Sequence, residues 1–170
     1  MRLLRDVTLV LLVLAGTLGF SQVPGFVQEY EQRLGGALQE ARRQVERFAL
    51  LAAQEGTTPE ALAERLRGSA DAAVAGLGRT MSEQAARAAA LEAQAEALAN
   101  SGRLWRPLVL LRQHDAELLA AAWEKYRFTL TLDPAFAAIG AMVGLVLNAG
   151  LWSILTLPRR LRARARTAAR

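Results

Sequence analysis

The stretch PAFAAIGAMVGLVLNAGLWSILTL, residues 134–157, decides the fold class. It runs for 24 residues with no charge and a single amide, Asn148. At ~1.5 Å rise per residue such a helix is roughly 36 Å long, enough to cross a ~30 Å hydrocarbon layer with some tilt. Asp133 suits a capping role ahead of it, and Pro134 suits the first helical position. Pro158 and the arginines beyond it mark the expected end. Trp152 near the basic end, with Tyr126 and Phe128 before the other, fits an aromatic belt. A chain of 170 residues has little left to wrap such a helix on every side, which argues against a buried core helix.

A second apolar run lies near the N-terminus, from Val7 to Phe20 or on to Val23. Its length and the preceding Arg2 and Arg5 resemble a signal peptide. The sequence Leu18-Gly19-Phe20-Ser21-Gln22 lacks an Ala-x-Ala cleavage pattern, so an uncleaved signal-anchor is the better expectation. The expected organisation is a signal-anchor span over 1–23, a helical exported segment over 24–133, a span over 134–157 and a basic tail over 158–170.

Charge gives the orientation. The net +5 divides into +1 over residues 1–20, −2 over 21–133 and +6 over 158–170. Arginines near span ends stay on the cytoplasmic side. Both termini are therefore expected in the cytoplasm and residues 21–133 in the periplasm of a bacterial inner membrane. Cysteine is absent, which removes disulfides, thiol nucleophiles and Cys-ligated metals.

Between the spans the periodicity is helical. Val27, Tyr30, Leu34, Ala37, Leu38, Ala41, Val45, Phe48 and Leu51 recur at gaps of three and four, or nearly so. Gly35-Gly36 interrupts this stripe, as a weak point or as a place of close packing. Thr58-Pro59-Glu60 reads as a helix start and Gly68 as its stop. Residues 68–79 read as a connector, Met81 to Ala99 as a helix ended by Asn100-Ser101-Gly102, and Pro107 to Tyr126 as a last helix. The fold class is thus all-α: two transmembrane helices flanking an Ala-rich helical periplasmic segment. Alanine-rich seams bury little area. A second copy, or another membrane protein, is expected to complete them.

Gly140 and Gly144 form a GxxxG pattern, and Ala137, Gly140, Ala141, Gly144 and Asn148 make a small-residue stripe for helix packing. Gly16 and Gly19 in the first span offer a matching face. Asn148 is expected to make an interhelical hydrogen bond. His114-Asp115 with Glu117 is the one cluster resembling a site, but one histidine does not build a ligand set, and Asp115 can simply restart a helix. No catalytic, cofactor-binding or metal-binding residue is expected, and no enzyme activity. The tail arginines Arg159, Arg160, Arg162, Arg164 and Arg166 suit anionic lipid rather than nucleic acid, since they adjoin a span and lack interleaved aromatics.

Ser21-Gln22-Val23-Pro24-Gly25-Phe26, then Gln28, Tyr30 and the run Gln32 to Leu38, carry a resemblance over the whole chain. The chain resembles a family of uncharacterised bacterial membrane proteins, domain of unknown function 2937. The resemblance implies a membrane protein and no particular activity.

The function expected from these readings is a non-enzymatic accessory or scaffold subunit of a cell-envelope complex. Its partner face would be Phe26, Tyr30, Leu34 and Leu38, and membrane lipid its other contact. No small-molecule substrate or cofactor is evident. The alternatives are a homo-oligomeric channel or transport component, and an exported protein with a cleaved signal and one anchor.

Overall fold

The computed structural model describes residues 2–126 and 133–168, the side chains of 156–168 excepted. The described residues hold helices and turns and no strand: α1 (Arg2–Ser21), α2 (Val23–Gln54), α3 (Pro59–Arg67), α4 (Ala72–Ala99), α5 (Arg106–Arg112), α6 (Ala116–Lys125) and α7 (Pro134–Ala168). They form two compact units, Met1–Phe26 with Arg127–Arg170, and Val27–Tyr126.

The first unit is a helical hairpin. The start of α7 is fixed as its sequence dictates. Asp133 Oδ1 accepts from the Ala135 N–H at 3.0 Å and the Phe136 N–H at 3.3 Å, and Pro134 follows. The helix does not stop at Pro158, as its sequence leads one to expect, but continues to Ala168. A proline forfeits one backbone hydrogen bond, and the arginine-rich residues beyond it have good helix propensity that carries the helix on. Its stretch Pro134–Leu155 and the N-terminal apolar helix are each long and apolar enough to cross a membrane. Large apolar side chains point outward on both, among them Leu3, Leu11, Met142, Val146 and Ile154.

At the end of α1 the Ser21 hydroxyl donates to the Leu18 carbonyl at 2.8 Å. The helix path breaks only at Gln22. Pro24, in the first turn of α2, needs no intrahelical donor there. The Phe26 N–H donates to the Gln22 carbonyl across the break at 3.1 Å.

The second unit is built on α2, which buries Val27, Tyr30, Leu34, Leu38, Ala41 and Ala52. The stripe matches the periodicity except at its end, where Ala52 is enclosed and Leu51 is exposed. Helix α2 closes on Gly56, at φ +63°. The Thr57 N–H then reaches back to the Ala52 carbonyl at 2.9 Å and the Gly56 N–H to that of Ala53 at 3.1 Å. Such a left-handed close is one that glycine adopts without strain. Thr58 then caps α3, accepting from the Ala61 N–H at 3.3 Å. Ala52, Leu62, Ala63 and Met81 form a core cluster from α2, α3 and α4, with Phe48 and Leu66 packed on it.

Two expectations fail in this unit. Residues 72–79 are not a connector: α4 starts at Ala72 because Asp71 caps it, accepting from the Ala73 N–H at 2.8 Å. Gly78 is a helical contact position. A Cβ there would sit 2.5 Å from the Ala63 carbonyl oxygen and 2.7 Å from the Arg67 nitrogen, so α3 lies backbone-close on α4. The last helix is also not continuous. Asp115 restarts it as α6, the restart its sequence allows, accepting from the Glu117 N–H at 2.9 Å and the Leu118 N–H at 3.1 Å.

Gly35 and Gly36 are exposed inside α2, and a Cβ on either meets nothing within 4 Å. They mark no close packing. Glycine in a helix interior costs about 0.8–1.0 kcal/mol against alanine. Gly35→Ala with Gly36→Ala is therefore expected to stabilise the chain by up to ~2 kcal/mol, read as a higher melting temperature of far-ultraviolet helicity. An unchanged or lower value would show that these glycines are needed.

Candidate functional site

The hairpin is joined through backbone. Gly16 of α1 lies against Gly140 and Gly144 of α7, so closely that a Cβ on Gly16 or Gly140 would overlap the other's carbonyl. A Cβ on Gly144 would lie 2.5 Å from the Leu12 oxygen and 2.8 Å from the Val13 Cα. Gly16 pairs with Gly140 and Leu12 with Gly144, so the two helices run antiparallel. Farther along, the Trp152 indole donates to the Thr8 hydroxyl at 3.3 Å.

The small-residue stripe faces this seam. Gly140, Gly144 and Asn148 are buried, and Ala137 and Ala141 half-buried. Gly19 takes no part; a Cβ there meets nothing within 4 Å. The expected interhelical hydrogen bond from Asn148 is not made by its Oδ1, which is enclosed without a partner. The Trp152–Thr8 bond crosses the helices instead. The sequence alone does not pair Trp152 with Thr8, because only the antiparallel register brings them together.

The second unit has a polar junction around Tyr30, whose side chain is wholly buried. Its hydroxyl donates to Gln94 Oε1 on α4 at 2.9 Å and accepts the Asp115 N–H at 3.0 Å. Gln94 in turn donates to the Gln113 carbonyl. The gap between α5 and α6 is thus tied to α2 and α4 by one phenol. Burial, above all, holds the Tyr30 phenol above its ordinary pKa of 10.0. Arg87 lies 3.9 Å from the Asp115 carboxylate and 3.5 Å from that of Glu117.

This arrangement corrects the expected partner face. Tyr30, Leu34 and Leu38 are buried within the chain's own unit, and Phe26 is half-buried. A helical stripe of this kind shows that a face is buried, not whether its cover is the same chain or another. The His114-Asp115-Glu117 cluster is likewise structural. Asp115 is a helix cap, and His114 Nδ1 lies 3.2 Å from the Leu110 carbonyl oxygen. Among the described residues no three His, Asp or Glu converge as metal ligands.

Two of the concavities among the described residues open on this unit. One of about 270 Å³ lies between α2, α3 and α4, lined by Phe48, Ala63, Arg67, Met81 and Ser82 among others. The other, about 310 Å³ and shallow, lies over Ala90, Gln94, Gln113 and His114. Glu60 also lines the first, and its Ser82 hydroxyl donates to the Gly78 carbonyl at 3.2 Å. Phe128 and the side chains of Arg159, Arg160, Arg162, Arg164 and Arg166 lie outside the described residues.

No curated protein and no solved structure matches the chain. One family model does, over residues 4–164, and so takes in both apolar helices and the whole unit between them. The chain belongs to that family, described as Protein of unknown function (DUF2937).

Proposed function

We propose that the chain is a non-enzymatic integral membrane protein, a two-span hairpin carrying a helical unit, that serves as an accessory or scaffold subunit of a cell-envelope complex. One observation carries the reading. α1 and α7 join glycine to glycine while their large apolar side chains point outward. In water that surface is a liability. In lipid it is a solvated surface, and close backbone contact is what holds such helices together. Arg2, Arg5 and the arginines after Pro158 favour cytoplasmic termini, with the helical unit in the periplasm of a bacterial inner membrane. A channel of several copies is less well supported, because the outward faces that would line its pore are leucine, valine and isoleucine.

Two experiments test this. The chain lacks cysteine, so single cysteines report sidedness. Ala89→Cys, on an exposed turn of α4, is expected to react with an impermeant maleimide in intact spheroplasts, and Ala165→Cys only after lysis. The reverse pattern would invert the orientation. Purification in mild detergent at natural abundance is expected to retain a foreign subunit in fixed ratio. A clean homo-oligomer would contradict the accessory role and favour a channel.

A further inference from the structure

Helix α5 and the turn before it are amphipathic in the wrong direction for a helix of a soluble core. The stretch Arg103-Leu104-Trp105-Arg106-Pro107-Leu108-Val109-Leu110-Leu111-Arg112 holds three arginines and no acid. The turn is already helical in its bonding, since the Arg106 N–H donates to the Gly102 carbonyl at 3.2 Å and the Val109 N–H to the Trp105 carbonyl at 3.1 Å. At about 100° per residue Leu104, Leu108 and Leu111 fall on one face, with Trp105 on its flank. That face is open. Leu111 is 72% exposed, Trp105 66%, Leu104 49% and Leu108 46%. The opposite side holds Leu110, which is buried. Arg106 also points inward, to Glu31 on α2 at 3.0 Å. Arg112 stays exposed at the border of the apolar face.

We propose that this face lies in the interfacial layer of an anionic phospholipid bilayer, with Leu104, Leu108 and Leu111 among the acyl chains, Trp105 at headgroup level and Arg112 against lipid phosphates. The proposal rests on the membrane reading above. Leucines and a tryptophan on one side, with a basic group at the border, are the chemistry of an in-plane membrane helix. Charge complementarity selects the occupant. A two-fold contact with a second copy would set this acid-free, arginine-bordered patch against itself. A phosphate-bearing surface offers the opposite charge, and each basic side chain near it adds to binding. The chain supplies the encounter: the unit is joined to the spans at both ends, at Val27 and at Tyr126, so a bilayer is present at high effective concentration.

The test uses the full chain in vesicles containing phosphatidylglycerol, with nitroxide labels on single cysteines. Leu111→Cys and Leu104→Cys report the face, and both replace exposed side chains. Leu147→Cys, 56% exposed on α7, reports the span, and Leu50→Cys, 61% exposed on α2, reports a surface apolar residue outside the face. Collision rates with oxygen and with a water-soluble nickel chelate are compared. The labels at Leu111 and Leu104 are expected to favour oxygen, at depths between those of Leu50 and Leu147, and to lose depth in neutral vesicles. Water-like readings there, with Leu147 still in lipid, would overturn this proposal alone. Equal depth in neutral vesicles would remove its electrostatic part. Spin–spin broadening with shielding from both colliders would assign the face to a second copy instead. A water-like Leu147 would sink the membrane reading itself.

Discussion

Gly144→Leu is expected to separate α1 from α7. At this position a Cβ alone would come within 2.8 Å of the Val13 Cα and 2.5 Å of the Leu12 oxygen, which are backbone atoms that cannot rotate away. Overpacking of this kind costs about 1–3 kcal/mol where side chains can yield. Association of such helices in lipid by small polar contacts is itself worth only ~1–2 kcal/mol. The added side chain is therefore enough to undo the seam. Spin labels on Val10→Cys and Leu147→Cys, both outward-facing, give the interhelical distance by pulsed resonance. The parent chain should give one narrow distribution. Gly144→Leu should move it outward and broaden it, toward the roughly 8–10 Å axial separation of helices that pack through larger side chains. Gly19→Leu is the control. Nothing lies within 4 Å of its Cβ, so the distance should not change. A Gly144→Leu distribution that overlays the parent would contradict the seam.

Tyr30→Ala should be the most damaging single change in the second unit. The side chain is wholly buried and bonds to two other segments. Truncating a buried aromatic costs about 3–5 kcal/mol. For a unit of this size that lowers the melting temperature by roughly 10 °C or more. Tyr30→Phe keeps the ring and removes the hydroxyl, leaving the Asp115 N–H without its acceptor, and should cost about 1–3 kcal/mol. The two variants also differ from the parent with pH. Burial raises the folded pKa of Tyr30, so the fold favours the neutral phenol. That contribution is complete below the ordinary value of 10.0 and is lost as pH rises through the higher folded value. Parent stability should therefore fall more steeply above pH 10 than that of Tyr30→Phe. Parallel alkaline curves would show that this phenol is not the group that titrates.

The elements legible in the sequence are those whose cause is local. The two apolar spans follow from length and lack of charge. α3 follows from Thr58, Pro59 and Gly68, and the end of α4 from Asn100-Ser101-Gly102. The seam of α7 was visible as a small-residue stripe, because only small residues let backbones meet. Its partner was half visible: Gly16 and Gly19 look alike in sequence, and only the register of an antiparallel pair chooses Gly16. Gly78 misled for a related reason. A glycine that admits a neighbouring helix has the same letter as one that loosens a loop, and the cap at Asp71 decides between them. Tyr30, Leu34 and Leu38 read in the sequence as a buried stripe, which does not say whether a second copy, another protein or the chain itself covers it; in the structure the chain's own unit does. The open face of α5 is hidden in the sequence, since its leucines fit the periodicity of a longer helix until Asp115 restarts the chain as α6.

The most direct test of the account is the intact mass of the protein recovered from carbonate-washed membranes. Helix α1 packs on α7 through Gly16 and is expected to be retained. Expressed from this sequence, the protein is expected to stay in the membrane pellet and to keep the mass of residues 1–170, 18.4 kDa, apart from changes at Met1. Release into the carbonate supernatant would contradict the membrane hairpin. A mass lacking the residues before about Gln22 would show a cleaved signal, leave Gly140 and Gly144 without Gly16, and contradict the two-span reading.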